Sequence, residues 1–180
     1  MGQEEVVAAN ASSPETRPLA ARSWASLNSH QLGRFAEYHV TMSLVRAGLD
    51  VYAPAIDDRG IDLITRLGHG RYLEIQVKAT RGFNYLFLRK SVFSIDPFRY
   101  LAYVLFTGET EPTVYLIPST AWLVPDNLFV SRDYEGKKSD PEYGLTVTKS
   151  NLGELNRHRL ELTLAALVQG VSEGTHPAQR

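Results

Sequence analysis

Residues 60–80, GIDLITRLGHGRYLEIQVKAT, constrain this chain more than any other stretch. Two apolar runs flank the turn Gly68-His69-Gly70, the pattern of a β-hairpin. The second run alternates: Leu73, Ile75 and Val77 share one face, and Glu74, Gln76 and Lys78 share the other. Pairing across a turn at 68–70 brings Asp62, near the start of the first strand, to the far end of the second. An acid, an amide and an ammonium then converge on one patch. Gln76 and Lys78 stand about 6.6 Å apart along a strand. At that spacing one group can hold a metal while its neighbour touches a bound water or phosphate.

Around this hairpin the chain reads as alternating elements. Residues 1–27 show no sustained period and are expected to form a flexible tail, with Trp24 and Leu27 docking near the first helix. A helix is predicted over 29–47, capped by Asn28 or Ser29 with Gln31 three residues past Asn28, and closed by Gly48. Leu32, Phe35, Ala36, Val40 and Ala47 form its core row, with Glu37 beside that row. Residues 49–53 make a short strand ended by Pro54. Asp57 and Asp58 are loop residues, each also a spare carboxylate near a metal. Phe83, Tyr85 and Phe87 share one face of a further strand; aromatics beside Arg and Lys can stack on bases, but a core role is the commoner one. Residues 101–107 and 113–117 are buried strands joined by a turn at 108–112. A turn or short helix is expected at 94–100, a short helix at 119–123, a long loop over 125–143, a strand at 145–148 and a helix over 155–169, with 171–180 frayed. The main body is a single domain spanning 28–170.

Composition excludes more than it selects. The chain has 180 residues, enough for one domain with a real core, and no cysteine, which rules out disulfides, Cys-ligated zinc and thiol catalysis. No run approaches the ~20 apolar residues of a membrane helix. A basic stretch followed by an apolar one is missing from residues 1–27, so the expected location is cytoplasmic. The formal net charge is −1, yet residues 59–100 hold eight basic and three acidic residues. That local excess suits phosphate contacts, and it equally suits solvated strand edges. The five histidines show no metal-binding helical spacing. No G-x-S-x-G elbow, GxxxxGK[ST] loop or GxGxxG turn is present, so serine hydrolysis, ATP and NAD are not implied.

The spacing Asp62-x13-Gln76-x-Lys78 resembles the PD-(D/E)xK phosphodiesterase superfamily, which has the restriction-endonuclease-like fold. Gly33-Arg34-Phe35-Ala36-Glu37 resembles the upstream helical Glu motif of that superfamily. The neutral Gln-Val-Lys variant looks like that of methylation-dependent restriction endonucleases; Holliday-junction resolvases are a more distant match. The resemblance covers roughly residues 30–120. It implies a three-layer α/β sandwich with a mixed central sheet and an αβββαβ core. It also implies an endonuclease that cuts DNA with Mg²⁺ or Mn²⁺, and a homodimer is compatible with cutting two strands.

The resemblance assigns the metal to Asp62, the side chain at 76, the backbone oxygen of Val77 and Glu37. Lys78 orients or activates the attacking water, or stabilises charge on the phosphate. Gln76 offers a neutral oxygen where an acid would add a full charge, so metal affinity is lower and Glu37 matters more. Glu74 lies about 6.6 Å further along the strand and is no substitute. Two alternatives stay open. Asp62 and Lys78 are then a surface ion pair worth at most about 1 kcal/mol on a polar sheet face, or the chain is a nuclease-fold module that binds nucleic acid or a protein partner without cutting.

Overall fold

The computed structural model describes residues 23–56, 59–68, 70–108 and 110–173. The predicted tail up to residue 22, Asp57, Asp58, His69 and the end beyond 173 lie outside the described residues. Helix α1 (Ser29–Arg46) is followed by β1 (Asp50–Tyr52), β2 (Leu63–Gly68) and β3 (Arg71–Arg81). Then come β4 (Tyr85–Arg89), β5 (Arg99–Phe106), β6 (Thr113–Pro118), β7 (Phe129–Arg132) and β8 (Glu142–Thr146). A short helix α2 (Leu152–Leu155) and α3 (Leu160–Glu173) close the described chain.

The strands form two sheets. A mixed five-stranded sheet has the order β1-β2-β3-β5-β6, and a smaller antiparallel sheet the order β4-β8-β7. In the large sheet β1, β2 and β3 run antiparallel, β3 and β5 are parallel, and β6 returns antiparallel to β5. The class is therefore α/β with a mixed central sheet, as expected.

Strand β5 explains the layering. It is apolar at almost every position and buried along nearly its whole length, as a strand covered on both faces must be. Ala102, Val104 and Phe106 join a cluster with Leu32, Ala36, Val40 and Leu44 of α1 and Leu160 and Leu164 of α3. Leu101, Tyr103 and Leu105 join a second cluster with Leu88, Phe93, Trp122, Phe129 and Leu145. The helices thus cover one face of the large sheet, and the small sheet covers part of the other.

Several expectations change in detail. The connection between parallel β3 and β5 carries β4 and turns, with no helix. The row of α1 runs Leu32, Ala36, Val40, Leu44; Ala47 is the exposed C-cap, and Phe35 is only partly buried. The capping box of Asn28 and Gln31 forms, and Gly48 takes φ +84° after the helix. The predicted loop 125–143 contains β7 and the start of β8. The predicted helix over 155–169 is broken: α2 passes into a 3-10 turn, Asn156–His158, before α3 begins. Trp24 packs on Phe35 and Phe106 with ring centroids at 4.8 and 5.1 Å, so it belongs to the folded unit. Arg81 ties it there by donating to the carbonyls of Trp24 and Leu27 at 3.0 and 2.6 Å.

The candidate active site at the fork of two strands

The hairpin builds the site by coming apart. Pairing of β2 with β3 ends at Leu63 opposite Ile75, while β3 continues to Arg81 with only β5 beside it. Asp62 sits where β2 leaves. Its backbone N–H donates to the Ile75 carbonyl at 2.9 Å. Its carboxylate Oδ2 accepts from the Val77 N–H at 2.6 Å. A side chain has taken the place of the next ladder carbonyl. The bond satisfies a donor that would otherwise be stranded, and it fixes the carboxylate against β3.

The alternation of β3 then sorts its side chains. Leu73, Ile75 and Val77 enter the cluster under α1, which turns Gln76 and Lys78 to the opposite face. Gln76 is 6% exposed. Its Oε1 is fully buried and accepts no hydrogen bond among the described residues. Leaving such an oxygen unsatisfied costs about 1–3 kcal/mol. It is the one buried side-chain polar atom in that condition among the described residues.

The other end of the Gln76 amide rests against Gly60. That residue has φ +65°, and a Cβ placed there would fall 2.8 Å from Gln76 Nε2. Both facts demand glycine. Gly60→Ala is therefore expected to displace the amide. It should reduce any activity of the site about tenfold or more while costing the fold only about 1–2 kcal/mol. Parallel activity and urea-denaturation measurements check this; unchanged activity with reduced stability would make Gly60 a turn residue only.

Gln76 and Lys78 open into a groove of about 440 Å³, shared with Tyr85, Phe87, Arg89 and Val92. The core role expected for the aromatic stripe fails at two of its three members. Phe83 packs against the second cluster, but Tyr85 and Phe87 are 39% and 52% exposed. The reason is register: Leu86 and Leu88 take the buried face of β4. Arg89, Arg132 and Glu142, which no sequence motif singled out, share the outer face of the small sheet with them. Tyr85 donates to Glu142 at 2.6 Å and carries the Arg132 guanidinium 4.8 Å above its ring. Partial burial and the Glu142 carboxylate push the Tyr85 phenol up to about 12, so it is a hydrogen-bond donor throughout the neutral range.

Glu37 and Glu74 are placed differently from that group. Glu37 projects from the flank of α1, accepts from Arg34 at 2.7 Å and lines a recess with Gln31 and Tyr38. It does not line the groove of Gln76 and Lys78. Glu74 is held by Arg99, whose Nε and Nη2 donate to it at 3.1 and 2.5 Å; its exclusion from the site agrees with this pairing. His158, half-buried beside Arg157, is pushed down to about 4 by desolvation and stays neutral against Phe129.

An oxygen-seeking cation fits the donor set at the fork. The buried Gln76 oxygen lacks a donor among the described residues, and the Asp62 carboxylate is anchored on the adjacent peptide. Among the described residues no three His, Cys, Asp or Glu side chains form a ready-made metal cluster. A site here therefore has to combine carboxylate, amide and backbone oxygens.

The order α1-β1-β2-β3 with β5 parallel to β3 matches the first part of the αβββαβ core that the PD-(D/E)xK resemblance implies, while the helix expected before the next core strand is replaced by β4. The fold is α/β, with a mixed five-stranded sheet covered on one face by helices. No family model matches the chain, and no curated protein matches it. Among solved structures, the chain is similar to a bacterial homing endonuclease: 17% identity, TM-score 0.48, over 83% of this chain and 99% of that one. It is also similar to a Holliday junction resolvase from the archaeal hyperthermophile Archaeoglobus fulgidus: 17% identity, TM-score 0.43, over 72% of this chain and 98% of that one. No described helix is long and apolar enough to cross a membrane.

Proposed function

We propose that the chain is a metal-dependent endonuclease that hydrolyses phosphodiester bonds in DNA at the fork between β2 and β3. The observation that carries this reading is the pair of contacts around Val77. Its N–H fixes the Asp62 carboxylate, and the neighbouring Gln76 presents a buried oxygen with no donor among the described residues. In this reading Asp62, Gln76 and the backbone oxygen of Val77 would hold Mg²⁺ or Mn²⁺, and Glu37, which lines a separate recess on α1, is left out of the metal shell. The bound ion neutralises phosphate charge and acidifies a water. Lys78, one step along the same face, orients the attacking water and stabilises negative charge on the phosphate oxygens. Among the described residues no acid lines the groove of Lys78 and Arg89, which suits a phosphate backbone.

The test is cleavage of supercoiled plasmid, linear duplex, branched junction and single-stranded DNA with Mg²⁺ or Mn²⁺, against an EDTA control. Metal-dependent cutting is expected. Folded protein that cuts none of these substrates would overturn the reading in favour of a nuclease-fold module that only binds DNA or a protein partner. The neutral Gln76 is the specific feature that favours that second reading.

Gln76→Glu separates the two. At about 4 Å and an effective dielectric near 20, an added charge interacts with a cation by about 4 kcal/mol per unit charge, part of which is lost to desolvation. Mn²⁺ affinity by calorimetry should rise about tenfold or more, and stability without metal at neutral pH should fall. Unchanged affinity would remove residue 76 from the metal site.

A further inference from the structure

The outer face of β4 offers more than a wall for the groove. Phe87 is half exposed and takes part in none of the ring contacts among the described residues. Its neighbour Tyr85 is pinned by Glu142 and Arg132 and lies across Gly144, where any Cβ would collide with its ring. Residues 85 and 87 of one strand face stand about 6.6 Å apart. Arg89, two further along, pairs with Asp140 at 3.8 Å and keeps most of its side chain in solvent. Gln76 and Lys78 line the same groove. A lone exposed phenylalanine is ordinary on a protein surface. A flat aromatic beside two cations and a candidate phosphodiester site has the makings of a stacking platform, the nearby Glu142 and Asp140 being engaged by Tyr85, Arg132 and Arg89.

We infer that Phe87, flanked by Tyr85 and Arg89, stacks an unpaired nucleobase, so that the groove takes DNA with an unpaired or extruded nucleotide in preference to intact duplex. The inference rests on the nuclease reading of Lys78 and the fork. Its logic is geometric. A base inside B-form DNA has both π faces covered by its neighbours, and only an unstacked base can lie on a ring. Arg89 and Lys78 then meet the phosphates on either side of that base, and neither contact depends on sequence. Tyr85, fixed by its hydrogen bonds, supplies the rigid wall that keeps the base from sliding along the strand.

Binding measured in EDTA tests this apart from catalysis. The probes are a blunt duplex, the same duplex with one unpaired 2-aminopurine, and the corresponding single strand. The unpaired probes should bind more tightly than the blunt duplex, with quenching of 2-aminopurine on stacking. Phe87→Leu should weaken the unpaired probes about tenfold or more and abolish the quenching. It should change blunt-duplex affinity less than about twofold, because a phosphate contact is untouched. Phe87→Tyr should bind as the parent does. Equal losses on all three probes, or full quenching by Phe87→Leu, would overturn the stacking site. If wild-type protein cuts DNA with Mg²⁺ while Phe87→Leu binds the unpaired probes like the parent, the inference fails and the nuclease reading stands. If the probes stack but nothing is ever cut, the nuclease reading fails and the platform stands.

Discussion

Asp62→Asn should lower metal-dependent cleavage by about 10³-fold or more, corresponding to about 4 kcal/mol of lost transition-state stabilisation. The substitution is chosen because Asp62 has two jobs. Its Oδ2 accepts from the Val77 N–H at 2.6 Å and so holds the fork of β2 and β3 together. In the proposed site it also supplies a full negative charge to the cation. Asparagine keeps an acceptor of the same shape and loses the charge, so the fold should stay within about 1 kcal/mol of the parent. Asp62→Ala removes both and should cost about 1–3 kcal/mol of stability in addition, because the Val77 N–H is left without its acceptor. Cleavage kinetics, Mn²⁺ calorimetry and urea denaturation on both variants separate the two jobs. An Asn variant that cuts within about tenfold of the parent would leave Asp62 as a strand cap and nothing more.

The fork was legible in the sequence because its physics is local. A glycine-rich turn and strict alternation set which residues share a face, and a hairpin must bring residue 62 back beside 76. Gly60 was legible as a turn residue, but its contact with the Gln76 amide was not, since it depends on how loop 54–60 folds over the strand. The capping box of α1 was equally readable from Asn28 and Gln31. Strand β7 was not. Phe129–Arg132 is four residues among Pro, Asp and Lys, too short for any period to show. It is a strand because β8 pairs with it and Phe129 packs on Trp122 at 4.9 Å, both tertiary causes. Tyr85 and Phe87 misled for a related reason. Alternation fixes which residues of β4 go together and does not say which set is buried; Leu86 and Leu88 won that place because the second cluster lies on their side.

Glu37 shows the limit of motif spacing in another way. Its position in α1 fits the resemblance, and it stands next to the buried row as expected. Its carboxylate, however, is engaged by Arg34 one turn earlier. Such an i, i+3 pair on a helix surface is worth only about 0.2–0.5 kcal/mol. The pair is therefore weak, and what separates Glu37 from Gln76 and Lys78 is its place on α1, where it lines a different recess.

Lys78→Met should reduce cleavage by about 10²–10⁴-fold, the range expected when a positioned group that handles a proton or developing charge is removed. Methionine fills nearly the same length with an apolar, flexible chain, so packing beside Gln76 is kept. The decisive comparison is between binding and turnover. A lysine that merely attracts DNA is one phosphate contact among several; its loss should flatten the salt dependence of binding by about one unit and slow cleavage only in proportion. A lysine that acts on the reacting phosphate should leave affinity within about tenfold and collapse the single-turnover rate at saturating DNA. Lys78→Arg sharpens the distinction. The guanidinium preserves charge but spreads it over a broad planar fork that does not match a compact ammonium, so it should rescue binding and fail to rescue cutting. Full recovery of the rate by arginine would show that the site needs only charge at this position, and would assign Lys78 to holding the backbone instead of to the chemical step.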